Sequence, residues 1–375
     1  MKKLTYILIL SLALFSCVKK GGDNANSSAA GDSLQLKHAT GFAIYYHKGF
    51  KEVVVYNPWE KGSVYARYYL TKDNNTETPP DGTKVLIPLQ TIAITSVTHI
   101  EFINLCGKLN TITGICSPHL VYNEHLRNNI ENKTIADLGD AFSMNVEKAM
   151  ALRPQALMTS GYNQNDPNMT RVSQAKIPVL YNNEWMETTL PGRAEWIKFV
   201  SAFYDKETEA NHVFAAVEEN YTHVKTLAAK VSSRPRIMSG TNFRGTWYMP
   251  GGKSYMGQLF ADAGAGYFYS DDAGTGSLPL SLESVIMNFG KTDVWLNCNF
   301  NSIEELIKAD SKHALFQPVS SGEVYNFNKR ALPSGANDFW ESAVAHPDLL
   351  LSDVIKVLHP TLLPEYELVY TEKLK

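Results

Sequence analysis

The longest periodic stretch of the sequence runs from Asp205 to Val231 and constrains the fold more than any other segment. Its apolar or small residues recur at steps of three and four, at Ala210, Val213, Phe214, Val217, Tyr221, Val224, Ala228 and Val231. This spacing predicts one face of an α-helix. A helix of that length spans about 40 Å, more than a small domain needs for its own packing. We therefore expect a spine between two lobes; the alternative is a long surface helix on one domain.

The bulk properties of the chain are those of a two-domain soluble protein. With 375 residues, 44% hydrophobic and 19% charged, it can bury a substantial core and is expected to form about two domains. Its net charge of −3 offers no support for a nucleic-acid partner. No second apolar run near 20 residues follows the N-terminus, so we expect no spanning helix in the body of the chain.

The N-terminus predicts export and lipid anchoring. A basic start, Met1 to Lys3, precedes the apolar run Leu4–Phe15, which is short for a membrane span and typical of a signal peptide. The run ends in Leu14-Phe15-Ser16-Cys17, which resembles the lipobox of bacterial lipoproteins. That resemblance implies a leader over residues 1–16, lipidation of Cys17, and a periplasmic protein of the cell envelope held to the membrane by lipid alone. The alternative is an ordinary cleaved signal with a chance cysteine. We assign residues 17–40, rich in Gly, Asn and Ser, to a flexible tether.

Three further cysteines, Cys106, Cys116 and Cys298, leave the disulfide question open. Export permits a bridge between Cys106 and Cys116, but all three can equally be buried reduced thiols.

The rest of the chain divides into four segments. Residues 41–84 contain two Val- and Tyr-rich runs around a turn-forming cluster at 57–62, which predicts a β-hairpin extension. Strand and helix patterns then alternate with short links over 85–192 and again over 233–375, the signature of parallel α/β lobes. The helical spine occupies 193–232 between them.

One helix–strand unit occurs on each side of the spine. Residues 145–158 and 281–296 each place an acidic residue, Glu147 or Glu283, in the first turn of a helix that leads into a strand. The helix dipole alone explains an acid at that position. The repetition nevertheless indicates two similar lobes.

From about Ile87 to Leu363 the chain resembles the periplasmic substrate-binding proteins of ABC importers for iron chelates, haem and vitamin B12. The matching pieces, in order, are TSVTHIEFINLCGKLNTITGI, NVEKAMALRPQALM, the long helix, WYMPGGKSYMGQLFADAG and LSLESVIMNFGKTDVWL. The resemblance implies an α/β fold of two Rossmann-like lobes joined by a single long α-helix, with the N-terminal hairpin as an extra. It also implies a monomer whose partners are an ABC permease and ATPase complex. Glu147 and Glu283 match the positions that dock such proteins on permease arginines, and carboxylate–Arg pairing suits that role; the alternative is that both are simple helix-start acids.

Ligand candidates are the side chains that follow each predicted strand, because ligands of α/β lobes lie beyond the carboxyl ends of the strands. Aromatic faces and arginines among them suit a large planar or macrocyclic ligand that carries carboxylates or phosphate, or an anionic iron–siderophore complex. The selected residues are Trp185, Arg244, Trp247, Tyr248, Arg330, Trp340, His119 and Tyr162. His119 and Tyr162 are also possible axial ligands of haem iron. A tryptophan after a strand can equally be a packing residue.

These features predict a lipid-anchored binding protein that captures an iron chelate, haem or a corrinoid and delivers it to a permease. We predict no resident cofactor and no metal site of the protein's own, the metal arriving inside the cargo. The sequence has no G-x-S-x-G, P-loop or H-E-x-x-H motif, which argues against an enzyme. Two alternatives remain: a chelatase-like lipoprotein enzyme that processes a metallocofactor, and a surface lipoprotein that captures cargo for an outer-membrane transporter.

Overall fold

The computed structural model describes residues 32–163 and 166–375, so the predicted leader, Cys17 and most of the predicted tether lie outside the described residues. The first element of the described part is a five-stranded sheet in strand order β1-β2-β3-β4-β5, in which only β4 and β5 pair in parallel. Its strands are β1 (Asp32–Ser33), β2 (Phe42–Tyr46), β3 (Phe50–Tyr56), β4 (Val64–Thr71) and β5 (Thr83–Leu86). The predicted hairpin is thus part of a larger sheet, because a second turn around Gly49 (φ 98°) splits its first run.

The N-terminal sheet shares its core with the first lobe. Phe42 packs on Trp196 with ring centroids 4.8 Å apart, and the backbone amide of Tyr181 donates to the Tyr68 hydroxyl at 2.9 Å. The segment before β2 is held by two carboxylates. Glu195 accepts hydrogen bonds from the amides of residues 37–39, and Glu187 from those of residues 40 and 41. The predicted tether boundary at residue 40 is therefore wrong for residues 32–40, which belong to the folded body.

The first lobe is built on a parallel sheet in the order β12-β11-β6-β7-β8, with a small β9–β10 ribbon beside it. In chain order its elements are β6 (Ile92–Ile94), α1 (Ile100–Leu105), β7 (Ile112–Ile115), α2 (Glu124–Glu131), β8 (Ala136–Asp137), β9 (Gly139–Asp140), β10 (Ser143–Met144), α3 (Val146–Leu152), β11 (Ala156–Thr159), α4 (Pro167–Gln174) and β12 (Val179–Tyr181).

Three helices connect the lobes: α5 (Leu190–Ala194), α6 (Ile197–Ala202) and α7 (Glu207–Ala228). The helical spine is interrupted before α7 at Asp205, which has a positive φ of 57° and whose carboxylate pairs with Lys51 and Lys72, each at 2.6 Å. Helix α7 buries Phe214 in the core of the first lobe. About two helical turns further along, the same helix buries Tyr221 in the core of the second lobe. The predicted apolar face is confirmed, and the helix does join two lobes.

The second lobe repeats the design with a sheet in the order β16-β13-β18-β19-β20, parallel except for the C-terminal strand β20. A separate antiparallel sheet, β14-β15-β17, lies beside it. Its elements are β13 (Arg236–Ser239), β14 (Asn242–Phe243), β15 (Thr246–Pro250), α8 (Tyr255–Asp262), β16 (Gly266–Tyr267), β17 (Ser277–Leu280), α9 (Leu282–Phe289), β18 (Val294–Leu296), α10 (Ile303–Ala309), α11 (Gln317–Ser321), β19 (Val324–Asn326), α12 (Asp338–Ser342), α13 (Pro347–Leu358) and β20 (Glu372–Lys373).

Cys106, Cys116 and Cys298 are buried free thiols. Burial raises the pKa of Cys106 and of Cys116 to about 12 and that of Cys298 to about 11. The alternative of a bridge between Cys106 and Cys116 is therefore not what the structure shows, and the thiols pack as small apolar groups.

Candidate functional site

A cavity of about 280 Å³ lies between the two lobes. Residues of the first lobe enter it from the carboxyl ends of three parallel strands: Ser96 and Thr98 after β6, Ser160 and Tyr162 after β11, and Glu184 and Trp185 after β12. The opposite wall comes from helices α5, α8, α12 and α13, through Leu190, Arg193, Tyr255, Phe339, Trp340, Ala343, Val344 and Leu350. The cavity thus occupies the position where α/β lobes bind ligands, and we call it the aromatic cavity.

Aromatic side chains give the cavity its character. Tyr162 and Trp185 lie side by side with ring centroids 5.6 Å apart and remain 55% and 36% exposed. Trp340 faces them from the second lobe and is 51% exposed. Phe142, 81% exposed, extends this surface from Tyr162 at a centroid distance of 5.6 Å. Half-exposed rings on both walls are suited to hold a flat or bulky apolar ligand between them.

An ion pair lies at the base of the aromatic cavity. The guanidinium of Arg193 is 3.6 Å from the carboxylate of Glu184, which is 1% exposed, and it stacks over the ring of Tyr255 at 4.6 Å. Burial raises the pKa of Glu184, although Arg193 and the Thr98 hydroxyl oppose the shift. Arg193 Nε and Glu184 Oε2 have no hydrogen-bond partner among the described residues. Both atoms are buried from solvent.

Beneath the cavity, His99 is completely buried with its Nε2 3.4 Å from the Ser160 hydroxyl. Burial lowers the pKa of His99 to about 3, so the imidazole is neutral at physiological pH. It adds no charge to the site.

Helix α12 separates the aromatic cavity from a second interlobe cavity of about 490 Å³. Charged and polar side chains dominate this polar cavity, which is lined by Glu101, Asn104, Tyr122, Asn123, Glu124, Arg127, Arg330, Leu332, Asp338, Glu341, Ser342, His346, Leu349 and Tyr370. Its walls again come from both lobes, so contacts across it hold the lobes together.

Two contacts between the lobes and one ion pair within the second lobe are well defined. The Glu341 carboxylate of the second lobe accepts hydrogen bonds from the backbone amides of Tyr122 and Asn123 in the first, at 2.6 and 3.0 Å. His346 pairs with Glu101 at 2.8 Å, again across the lobes, and Arg330 pairs with Asp338 at 3.0 Å.

Burial between the lobes also shifts the pKa values of the titratable side chains that line the polar cavity. Burial raises the pKa of Glu341 to about 7 and raises that of Asp338. For His346, burial lowers the pKa, but the hydrogen bond and charge of Glu101 outweigh it and the net pKa lies above its usual value. We therefore expect the contacts between the lobes to depend on pH.

The structure places half of the eight residues selected from the sequence in the two interlobe cavities. Tyr162, Trp185 and Trp340 line the aromatic cavity, and Arg330 lines the polar cavity. Sequence reasoning assigned Arg193 to the spine and missed its place in the cleft. The signal available for it was Thr189, whose side chain caps α5 and makes residues 190–194 a separate short helix that turns Arg193 inward.

The other four predicted ligand residues need correction. Trp247 is fully buried, with its indole N–H donating to the Ser239 carbonyl at 2.9 Å and its ring 5.4 Å from that of Trp295, so it is a core residue of the second lobe. Arg244 and Tyr248 are exposed on β14–β15 and line neither cavity, because that hairpin belongs to the separate small sheet. His119 is exposed on a turn outside both cavities.

The N-terminal sheet supports one wall of the aromatic cavity. Tyr65 on β4 donates to the backbone carbonyl of Asn163 at 2.7 Å, and its ring packs on Tyr181 at 4.8 Å. The adjacent Gly161 amide donates to Asn183 at 2.7 Å. A side chain at Gly161 would come within 2.8 Å of the Tyr65 hydroxyl, so this close approach requires glycine.

The two predicted docking acids are both in the first turn of a helix on the surface. Glu147 follows the cap Asn145 of α3 and pairs with Arg171 of α4. Glu283 follows the cap Ser281 of α9, and the helix-start backbone amide, together with the Ser281 hydroxyl, holds the pKa of Glu283 below its usual value. Both side chains are exposed, one on each lobe.

Within residues 32–163 and 166–375, no helix has the length and apolarity needed to cross a membrane. In the same part of the chain, no group of three or more His, Cys, Asp and Glu side chains is arranged to hold a metal ion.

Comparisons with known proteins agree with this architecture. The family described as periplasmic binding protein matches residues 106–297, half of the chain. An uncharacterised lipoprotein of Methanocaldococcus jannaschii is 25% identical over 96% of this chain and 94% of its own length. Among solved structures, a haem complex of a Staphylococcus aureus protein superposes with a TM-score of 0.54 at 15% identity, over 72% of this chain and 98% of its own. A protein of an Fe³⁺-hydroxamate transport system from Saccharomonospora viridis does so with a TM-score of 0.54 at 15% identity, over 72% and 93%.

Proposed function

The chain belongs to the periplasmic binding protein family, and from that premise we propose that it is a lipid-anchored substrate-binding protein that captures an iron chelate, haem or a corrinoid and delivers it to an ABC permease. The family consists of solute-binding proteins of ABC transporters, not of enzymes. The individual ligand, the lipid anchor and the docking residues are the parts proposed for this chain.

The aromatic cavity is the observation that carries the proposal. It lies between two α/β lobes, and Tyr162, Trp185 and Trp340 present half-exposed rings to it. A soluble protein exposes clustered aromatic rings at cost, unless a ligand covers them. Chelates of hydroxamate or tetrapyrrole type offer the extended apolar faces that such rings contact.

The envelope location rests on the sequence and on a relative. The Leu14-Phe15-Ser16-Cys17 segment fits lipidation of Cys17, and the relative from Methanocaldococcus jannaschii, similar over nearly its whole length, is described as a lipoprotein. Two or more acyl chains hold a protein stably at a membrane, whereas one gives only marginal binding.

Delivery requires a docking surface that spans both lobes. Glu147 and Glu283 supply one exposed carboxylate on each lobe, and paired carboxylate–Arg contacts fix the orientation of a partner across the two. Because α7 runs through both cores, we expect ligand binding to change the separation of these two carboxylates only slightly.

Co-elution of cargo with the purified protein tests the proposal. The protein is incubated with haemin, cobinamide and ferric siderophores, passed through a gel-filtration column, and the absorbance of the eluted protein is recorded. We expect one chelate to co-elute at one equivalent and to be recovered chemically unchanged. Failure to retain any of them contradicts the proposed cargo class, and recovery of a demetallated or altered chelate contradicts a transport role.

A further inference from the structure

We propose that the cargo of this protein carries no net negative charge, so that an uncharged or cationic chelate is preferred over haem and over polyanionic ferric siderophores. This inference rests on the proposed function and narrows its ligand class. It depends on the charges that line the two interlobe cavities.

The aromatic cavity offers no uncompensated positive charge. Among the described residues that line it, the charged ones are Glu184 and Arg193, and they form an ion pair with each other. The guanidinium also stacks on Tyr255, which fixes it at the base of the cavity. An anion that entered would meet the Glu184 carboxylate together with Arg193, and the two would largely cancel.

The polar cavity is acidic on balance. Its carboxylates come from Glu101, Glu124, Asp338 and Glu341, and its cationic groups come from Arg127, Arg330 and His346. Two of the three cations are already paired, Arg330 with Asp338 and His346 with Glu101. If Glu341 is protonated, the remaining three carboxylates still balance all three cations. Neither state offers the net positive charge that a polyanionic ligand requires.

Desolvation of the ligand makes the lack of net positive charge in the two cavities important for binding. A carboxylate or catecholate that leaves water for a cleft walled by Tyr162, Trp185 and Trp340 loses its hydration and needs a compensating cation. An uncharged ferric tris-hydroxamate or corrinoid has no such penalty. A protonated amine on the ligand would be favoured both by the aromatic faces and by the carboxylates of the polar cavity.

A set of probes of different net charge tests the inference through quenching of the intrinsic tryptophan fluorescence, to which Trp185 and Trp340 in the aromatic cavity contribute. Ferrichrome and cyanocobalamin serve as uncharged probes, ferrioxamine B as the cationic one, and ferric enterobactin and haemin as anionic ones. We expect at least one uncharged or cationic probe to bind at least tenfold more tightly than both anionic probes. Tighter binding of an anionic probe overturns the charge inference and leaves the proposed function standing. Binding of none of the five overturns both.

Two charge-neutralising variants test the cause. Glu184→Gln removes the negative charge that compensates Arg193 at nearly constant volume, and Asp338→Asn does the same for Arg330. For at least one of these variants, we expect the affinity for haemin, divided by the affinity for the best uncharged probe, to rise at least fivefold over wild type. The matched control Trp340→Ala removes a contact without changing charge and should weaken all probes together. An unchanged ratio in both folded charge variants overturns the inference. Measuring thermal unfolding first identifies any variant that does not fold, and the other variant then decides.

Discussion

The hydroxyl of Tyr65, on strand β4 of the N-terminal sheet, donates a 2.7 Å hydrogen bond to the backbone carbonyl of Asn163. Asn163 directly follows Tyr162, a wall residue of the aromatic cavity. The sheet that the family resemblance leaves without a role therefore touches the segment that presents an aromatic ring to the ligand. A Cβ at Gly161 would lie 2.8 Å from the same hydroxyl, so a larger residue there would press on this contact.

Replacing Tyr65 with Phe should weaken ligand binding without unfolding the protein. The variant keeps the ring that packs on Tyr181 and loses one hydrogen bond, a change worth about 1 kcal/mol. We expect roughly a threefold to tenfold loss of affinity in a fluorescence titration. The control is Tyr45→Phe, whose hydroxyl lies 3.5 Å from that of Tyr56 on the same sheet. Equal affinities of the two variants would show that the sheet does not position the binding site.

Two tryptophans selected from the same sequence pattern should respond oppositely to replacement by alanine. Trp247→Ala empties a site at the centre of the second lobe and should cost about 3–5 kcal/mol of unfolding free energy. Trp340→Ala removes a half-exposed ring and should leave stability within about 1 kcal/mol, yet weaken ligand binding at least about tenfold. Chemical denaturation and titration separate the two effects. A stable Trp247→Ala protein with impaired binding would restore Trp247 as a ligand residue.

Periodic patterns made the α/β lobes predictable. Helix α9, strand β11 and strand β18 have the bounds that their local sequence indicates, because caps and prolines mark their ends. The small β14-β15-β17 sheet and β20 were not predictable, because short strands depend on partners far away in the chain. The turn at Gly49, by contrast, is local: it joins two adjacent strands inside one Val- and Tyr-rich run.

The binding site was predictable only where the rule applies that ligands lie beyond the carboxyl ends of parallel strands. Tyr162 and Trp185 follow parallel strands and line the cavity as that rule requires. Trp247 lies within β15 of the small antiparallel sheet, to which the rule does not apply, and its ring points into the core. Arg193 was missed because its position depends on a break in the spine, and continuous helical periodicity does not reveal such a break.

Stability should depend on pH through Glu341. Its folded pKa of about 7 lies above the ordinary value of a glutamate, so the folded state binds this proton more tightly than the unfolded state does. The contribution of Glu341 to stability therefore rises as pH falls from about 7 towards its ordinary value, and it is lost as pH rises through 7. Comparing wild type with Glu341→Gln between pH 8 and pH 5 should show wild type gaining roughly 1–3 kcal/mol relative to the variant.

The difference in stability between wild type and Glu341→Gln isolates the contribution of Glu341. His99, with a folded pKa of about 3, destabilises both as pH falls below its ordinary value, and this contribution cancels in the comparison. Glu124→Gln, at an exposed position of the same cavity, serves as the control and should track wild type. Parallel stability curves for wild type and Glu341→Gln would rule out a titrating Glu341 between the lobes.

Replacing Cys17 with Ala should release the protein from the membrane. Without the thiol there is no acceptor for the acyl chains that are proposed to hold the protein at the membrane. We expect the variant in the aqueous phase of a detergent partition and wild type in the detergent phase. Cys298→Ala, which removes a buried thiol in the second lobe, should partition like wild type. An aqueous wild-type protein would contradict lipidation.

Removing both docking acids should separate capture from delivery. Neither Glu147 nor Glu283 lines the aromatic cavity or the polar cavity, so Glu147→Ala with Glu283→Ala should bind cargo with wild-type affinity. The loss of the exposed pair between Glu147 and Arg171 should cost at most about 1 kcal/mol of stability. Cargo uptake in cells that depend on this protein should nevertheless fall at least tenfold, because the proposed contacts with permease arginines would be lost on both lobes. Glu219→Ala, on the exposed face of α7, is the matched control and should support full uptake.

Arg171→Ala gives the opposite check on Glu147. This variant removes the arginine that pairs with Glu147, so Glu147 is available to the permease and uptake should stay intact. Lost uptake in Arg171→Ala would instead assign the Glu147–Arg171 pair a structural role and remove Glu147 from the docking surface.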